Sequence, residues 1–182
     1  MALKTYKPTT KSQRAMTRIN YRAILSGDAK HKGLVGGHKR GFGRNNQGRI
    51  TMRHRGGGHK QLLRDVDFVF DKKDIPAKIT TIEYDPNRSG FIGLAVYADG
   101  TKRYVLIPKA TQVGDSFIVS ENAPVTRGNR IPLKNLPVGT FVYNVEVKPG
   151  NGGKIARSAG NYAEVVAQDA GYTHLKMPST EV

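Results

Sequence analysis

From His31 to Lys60 the chain reads HKGLVGGHKRGFGRNNQGRITMRHRGGGHK, with arginine, lysine and histidine alternating with glycine and no acid among them. Guanidinium groups at Arg40, Arg44, Arg49, Arg53 and Arg55, with Arg64 just beyond, suit phosphate oxygens in a forked geometry and also stack on bases. Lys32, Lys39 and Lys60 act as point charges, and His31, His38, His54 and His59 offer stacking or hydrogen bonding. The charge is segregated. Residues 1–64 hold 16 Lys and Arg against the single acid Asp28, a net of +15, while residues 65–182 hold 14 against 13. Nearly all of the chain's +16 therefore lies in its first third. A segment with so much self-repulsion and so few apolar side chains does not collapse on itself, so it is expected to need a polyanion for order. If about ten phosphates are neutralised, log K falls with log salt at a slope of roughly −7 to −9.

Other chemistries fit these residues less well. A metal centre is disfavoured because there is no cysteine, and the nearest histidine pair, His54 and His59, straddles three glycines. Phosphate-binding enzyme motifs fail residue by residue. Gly153-Lys154 is followed by Ile155 instead of Ser or Thr, and Gly41-Phe42-Gly43-Arg44-Asn45-Asn46 lacks the third glycine of a dinucleotide loop. No nucleophile, base and acid can be assembled by spacing, so no catalytic residue, metal or cofactor is expected. Irregular RNA is favoured over DNA, because an extended glycine-rich arm threads crevices and the sequence carries no helix-turn-helix or zinc-finger pattern. The competing class is a free nucleic-acid chaperone or DNA-compacting protein. An enzyme comes third.

The elements that must position this arm follow from periodicity. Met1–Ser26 carries cations at spacings of three or four, but its apolar content is too thin for a stable amphipathic helix, and it reads as extended or induced on binding. Its first 25 residues have the composition of a mitochondrial transit peptide, yet that composition continues past residue 60 without a break. Gly27 to Gly58 contains ten glycines and no sustained period, a loop-like arm in which Arg49 to Arg53 is expected to supply a strand fragment once docked. After Leu62, short alternating runs separated by turns predict small β barrels. Candidate strands are Leu63–Phe70, Ala77–Tyr84, Phe91–Tyr97 paired with Lys102–Ile107 through Asp99-Gly100, Ser116–Ser120, Phe141–Val147, Lys154–Ser158, Tyr162–Gln168 and Tyr172–Met177. In Phe141–Val147 the alternation predicts Phe141, Tyr143, Val145 and Val147 on one buried side.

The phrases Val113-Gly114-Asp115-Ser116-Phe117 and Val138-Gly139-Thr140-Phe141 echo each other across a proline-rich linker, 121–139. They predict two small β units with a boundary near residue 125: an arm over 1–60, a first barrel over 61–124 and a second over 125–182. The longest apolar run, Phe91 to Ala98, falls far short of the ~20 residues that span a bilayer, so no membrane partner is expected. Cysteine-free composition fits a reducing compartment, with the cytosol as default. Outside the arm, Arg88 at the tip of the 85–90 turn and Arg157 after the 150–153 turn are placed to project from barrel loops, with Lys154 in the same stretch. Position alone reads them as ordinary surface residues.

Gly43-Arg44-Asn45-Asn46-Gln47-Gly48-Arg49-Ile50-Thr51, followed by Arg53-His54-Arg55-Gly56-Gly57-Gly58-His59-Lys60, closely resembles the signature of the family of ribosomal protein L-two of the large subunit, bacterial type. The likeness extends through Tyr6–Thr10, Ile82–Ser89, and Val138-Gly139-Thr140 to Gly150, Gly153, Arg157, Ala159 and Gly160. The resemblance implies a mainly β fold: an oligonucleotide-binding-type barrel and then an SH3-like barrel, both resting on large-subunit ribosomal RNA, with the arm threaded into it. It implies that Arg88 and Arg157 contact RNA, which overturns the ordinary-surface reading of those two, and RNA contacts are also expected at Lys32, His38, Lys39, Arg40, Arg44, Asn45, Asn46, Arg49, Arg53, His54, Arg55, His59, Lys60, Arg64 and Lys154. It also implies roles in early assembly, subunit association and support of the peptidyl transferase region. Expected partners are neighbouring ribosomal proteins and the small subunit across the interface, on a cytoplasmic or organellar ribosome. The family continues past the position of Pro178–Val182 into a glycine-rich extension with a histidine, and roles tied to that extension are not carried over.

Overall fold

The computed structural model describes residues 3–27, 30–38 and 41–182; Lys39 and Arg40, two of the expected RNA-contacting cations, lie outside the described residues. At the start, β1 (Leu3–Thr5) and β2 (Thr17–Ile19) pair antiparallel around one helical turn, α1 (Lys11–Arg14), whose N-cap Thr10 accepts the Gln13 N–H. No residue of these elements is buried. What anchors the segment comes afterwards, as the adjacent pair Ile24-Leu25 packs against the main core. Ser26 donates its N–H to the Ile82 carbonyl and accepts the Ile82 N–H on Oγ, both at 3.0 Å. Helical spacing gave no sign of this anchor, because two neighbouring side chains dock from the end of a single turn, where Ile24 and Leu25 both donate their N–H groups to Tyr21 O at 3.1 and 2.9 Å.

Next, β3 (Val35–Gly37) pairs with β4 (Leu62–Arg64), a short ladder that brackets the stretch 38–61. The first sheet has the order β7-β6-β5-β8, from β5 (Ala77–Glu83), β6 (Ile92–Tyr97), β7 (Lys102–Leu106) and β8 (Ser116–Phe117). Its middle is covered on both faces. Ala95, Tyr97 and Val105 join one cluster with Ala77, Ile79, Ile82 and Phe117, while Ile92, Leu94, Tyr104 and Leu106 join the other with Val66. Two-sided burial explains why β6 reads as a nearly continuous apolar run instead of an alternating one. The expected strand Leu63–Phe70 is cut short after Arg64, leaving a bridge at Val66 beside Tyr104. Beyond it the Asp67 carboxylate accepts the Val69 and Phe70 N–H groups at 2.9 Å and turns the chain.

The second unit contains β9 (Phe141–Val142), β10 (Val145–Glu146), β11 (Gly153–Ile155), β12 (Ala163–Asp169) and β13 (Tyr172–Lys176), in sheets β13-β12-β9 and β10-β11. Here one expectation fails. Phe141–Val147 is not a single half-buried strand: Phe141 and Val147 are 62% and 63% exposed, whereas Asn144, assigned outward, is 3% exposed. Asn144 sits at φ 52°, donates its N–H to Ala156 O at 3.1 Å and accepts Arg130 Nη1 on its carbonyl at 3.2 Å. Asparagine tolerates this left-handed conformation, which breaks the strand and passes the chain from one sheet to the next.

The echoed Val-Gly phrases make the same structure twice. Gly114 and Gly139 have φ 102° and 86° and donate to Ile79 O and Val165 O at 2.8 and 2.7 Å; Ile79 and Val165 donate back to Asp115 O and Thr140 O. Each clamped residue lies at a register shift in its strand, and the residues that follow pair with Ala77-Lys78 in β5 and Ala163-Glu164 in β12. A bulge sharpens local twist, so each clamp curls its sheet at the same place. The connection order differs, since β8 follows β5 whereas β9 precedes β12.

Candidate nucleic-acid interface

Three places concentrate the cations. The first is the arm itself. Gly43, at φ 68°, accepts the Thr51 and Met52 N–H groups on its carbonyl at 2.8 and 3.1 Å. A Cβ there would fall 2.5 Å from Met52 O, so only glycine fits. Asn45 Oδ1 accepts the Gln47 and Arg49 N–H groups at 3.0 and 2.9 Å, Arg44 Nη1 donates to Gly48 O at 2.9 Å, and Arg44 bridges Ile50. This knot uses hydrogen bonds in place of an apolar core. It is how a stretch too charged for collapse holds a local shape, and it was not expected from composition. It also commits Asn45 Oδ1 to the turn, while the residue itself stays exposed. Arg44, Asn46, Arg49, Arg53, His54, Arg55, His59 and Lys60 are all exposed, as are Lys32 and His38 nearer the ladder.

The second place is a seam between the two units. Phe68 presents its ring to two guanidinium groups, with Arg157 Cζ 3.7 Å and Arg88 Cζ 5.4 Å from the centroid. Such contacts contribute about 0.5 to 2 kcal/mol each, depending on desolvation. Arg88 Nε donates to Asp85 Oδ2 at 2.6 Å, and Asp85, fully buried, also accepts the Asn87 N–H and Nδ2. Arg157 Nη2 donates to Gly153 O, while its buried Nε has no partner. Desolvation, and then the positive charge of Arg88, lower the pKa of Arg157 from its ordinary value. The seam is tied by Gly153 N–H to Phe68 O at 2.9 Å and Ala159 N–H to Ser89 Oγ at 3.1 Å. Position in the sequence suggested two unrelated surface arginines. The structure brings them together over one ring that sequence reasoning passed over, because nothing in the run Asp67-Phe68-Val69-Phe70 marks which aromatic faces out.

The third is a cleft lined by Lys30, His59, Lys60 and Arg64 against Glu83 and Tyr84. Here Arg64 differs from the other expected cations, being 5% exposed. Its Nη1 donates to Leu62 O at 3.0 Å, and its Nε is unpartnered. Behind it, Tyr104 hydroxyl accepts the His31 N–H at 3.0 Å and donates to Glu83 at 2.8 Å. Lys154 stands alone, exposed on β11. Phe42 and Lys30 are interface candidates that sequence reasoning did not single out. The interleaving of an aromatic with arginine and glycine was the available signal for Phe42. Among the described residues, no three His, Asp or Glu side chains gather as a metal site, and no helix is long and apolar enough to cross a membrane.

Two curled β units, one of them carrying an acid-free basic loop, define a nucleic-acid-binding class of protein. Residues 31–120 match the family model described as Ribosomal Proteins L2, RNA binding N-terminal domain, and residues 126–182 match that described as Ribosomal Proteins L2, C-terminal domain. The chain belongs to the ribosomal protein L2 family, whose two domains are an oligonucleotide-binding-type barrel and an SH3-like barrel. It is thus a large-subunit ribosomal protein that binds RNA, from a family of structural proteins.

Proposed function

We propose that this protein is a structural constituent that ties separate segments of large-subunit ribosomal RNA together, the arm over 1–60 threading between them while the barrels over 61–124 and 125–182 fix its position. In this reading the arm cations, Asn45 and Asn46, with Arg64, Arg88, Lys154 and Arg157, contact RNA. Through these contacts the protein supports subunit assembly and association near the peptidyl transferase region of a cytoplasmic ribosome. One observation carries the reading. Every ion pair among the described residues lies between Asp67 and Glu146, so no described arm cation is paired with a described acid. Phosphate is the counter-charge that remains.

Footprinting of the full chain on large-subunit RNA, with bulk DNA as competitor at moderate salt, tests this. A defined set of protected nucleotides that survives competition is expected. A version lacking residues 1–60 should lose part of the footprint and keep the rest. Similar affinity for any nucleic acid would instead identify a general compacting protein, and the reading would be wrong.

A further inference from the structure

We propose that residues 41–57 form a preorganised socket for one unstacked guanine of single-stranded or bulged RNA, its ring against Phe42 and its major-groove edge toward Arg53. The inference rests on the RNA-binding reading and narrows it to a particular ligand. A cavity of about 570 Å³ opens in this loop, lined by Phe42, Ile50 and Met52 together with Arg44, Arg53 and Arg55. That volume suits a single nucleotide. Contacts to phosphate alone would give the three apolar side chains nothing to do, yet they are 48%, 64% and 53% exposed, with no core beneath them. A ligand with both an apolar face and negative charge satisfies walls and rim together, and a nucleobase on its sugar-phosphate backbone has both.

Backbone conformation points the same way. In a loop rich in glycine, the left-handed positions at φ 47° and 57° are held by Phe42 and His54, both bordering the cavity. Large side chains at such positions are strained, and strain of this kind gathers at ligand clamps. A Cβ built on Gly56 would meet Phe42 Cδ1 at 3.9 Å, so the bare glycine backbone flanks the ring. The hydrogen bonds of Gly43, Asn45 and Arg44 shape the socket before any ligand arrives, which lowers the ordering cost of binding.

Selectivity follows from the donor set. The wall contains no carboxylate, and Arg44 and Arg55 each spend one N–H, on Gly48 O and Met52 Sδ. Arg53 has no hydrogen-bond or ion-pair partner among the described residues, so its fork is available. A guanidinium fork matches an edge with two adjacent acceptors, which guanine supplies through O6 and N7 and adenine does not.

The test uses the full chain and an RNA fragment that it footprints, read by methylation of guanine N7 and by affinity. One unpaired guanine should be protected by the wild type and regain reactivity with Phe42→Ala or Arg53→Gln. Affinity should fall roughly 5- to 100-fold for Phe42→Ala, the range for one lost base-stacking contact, with an unchanged salt slope. Phe42→Tyr should bind like the wild type. Replacing that guanine by its 7-deaza analogue alters the RNA alone, so a loss of about tenfold there is independent of protein folding. Protected phosphates with no protected guanine, or indifference to the 7-deaza substitution, would overturn the socket while leaving RNA binding intact. Absence of any footprint by the wild type would instead sink the RNA-binding reading itself.

Discussion

Arg88 holds two positions at once, as counter-ion to a buried carboxylate and as proposed RNA contact, and the two can be separated. Arg88→Gln leaves Asp85 charged, fully buried and without its 2.6 Å ion-pair partner. Breaking a buried pair on one side costs about 3–5 kcal/mol. Asp85 retains the Asn87 N–H and Nδ2 at 2.9 and 3.1 Å, which places the expected loss near the lower end of that range. Contact with the Phe68 ring at 5.4 Å adds up to about 1 kcal/mol. Adding Asp85→Asn removes the stranded charge while keeping an oxygen for the Asn87 N–H, so the double variant should regain about 2 kcal/mol over Arg88→Gln. RNA binding should not recover, because both variants lack the cation, and each should show a salt slope shallower by about 0.7. Urea unfolding measures the first quantity and salt-dependent affinity the second. If the double variant is no more stable than Arg88→Gln, the ion pair is not what holds the 85–90 turn. If it binds RNA with the wild-type slope, Arg88 touches no phosphate.

Gly153→Ala would place a Cβ 2.1 Å from Asn144 Oδ1 and 2.5 Å from Asn144 O, so it should destabilise by about 2–3 kcal/mol and loosen the seam, seen as a lower urea midpoint. In the arm, Gly43→Ala should raise amide exchange at Thr51 and Met52, whose N–H groups bond Gly43 O, and leave the urea midpoint unchanged; a lowered midpoint would show that the arm knot supports the barrels. Burial pushes the phenols of Tyr97, Tyr104 and Tyr143 from 10 to about 12. Because the folded values are raised, the stability they contribute is present below pH 10 and lost as pH climbs toward 12, on the order of 2 kcal/mol for each. Phenolate absorbance should show these three titrating late and together with unfolding.

Much of the architecture was already readable from turn chemistry and local pattern. Asp99-Gly100 located the hairpin of β6 and β7, and Ala170-Gly171, both at positive φ, separated β12 from β13 as expected. The Val-Gly echo was visible in sequence, although its meaning, a clamp on a bulged residue, was not. Asn144 shows where pattern failed. Alternation assumes an unbroken strand, and a buried left-handed residue resets it without leaving any mark in the hydrophobic period.

Charge segregation, the glycine-rich arm and the absence of catalytic motifs are properties of composition and nearest neighbours, so the expectation that the first third meets a polyanion comes from the chain alone. Which side chains meet was decided only by tertiary structure. Phe68, Arg88 and Arg157 are separated by long stretches of chain and converge because two curled sheets share a seam, and the burial of Arg64 follows from the ladder that brackets 38–61. Such convergence depends on register and on the crossing of connections, and these are fixed by packing across the whole molecule instead of by any local run of residues.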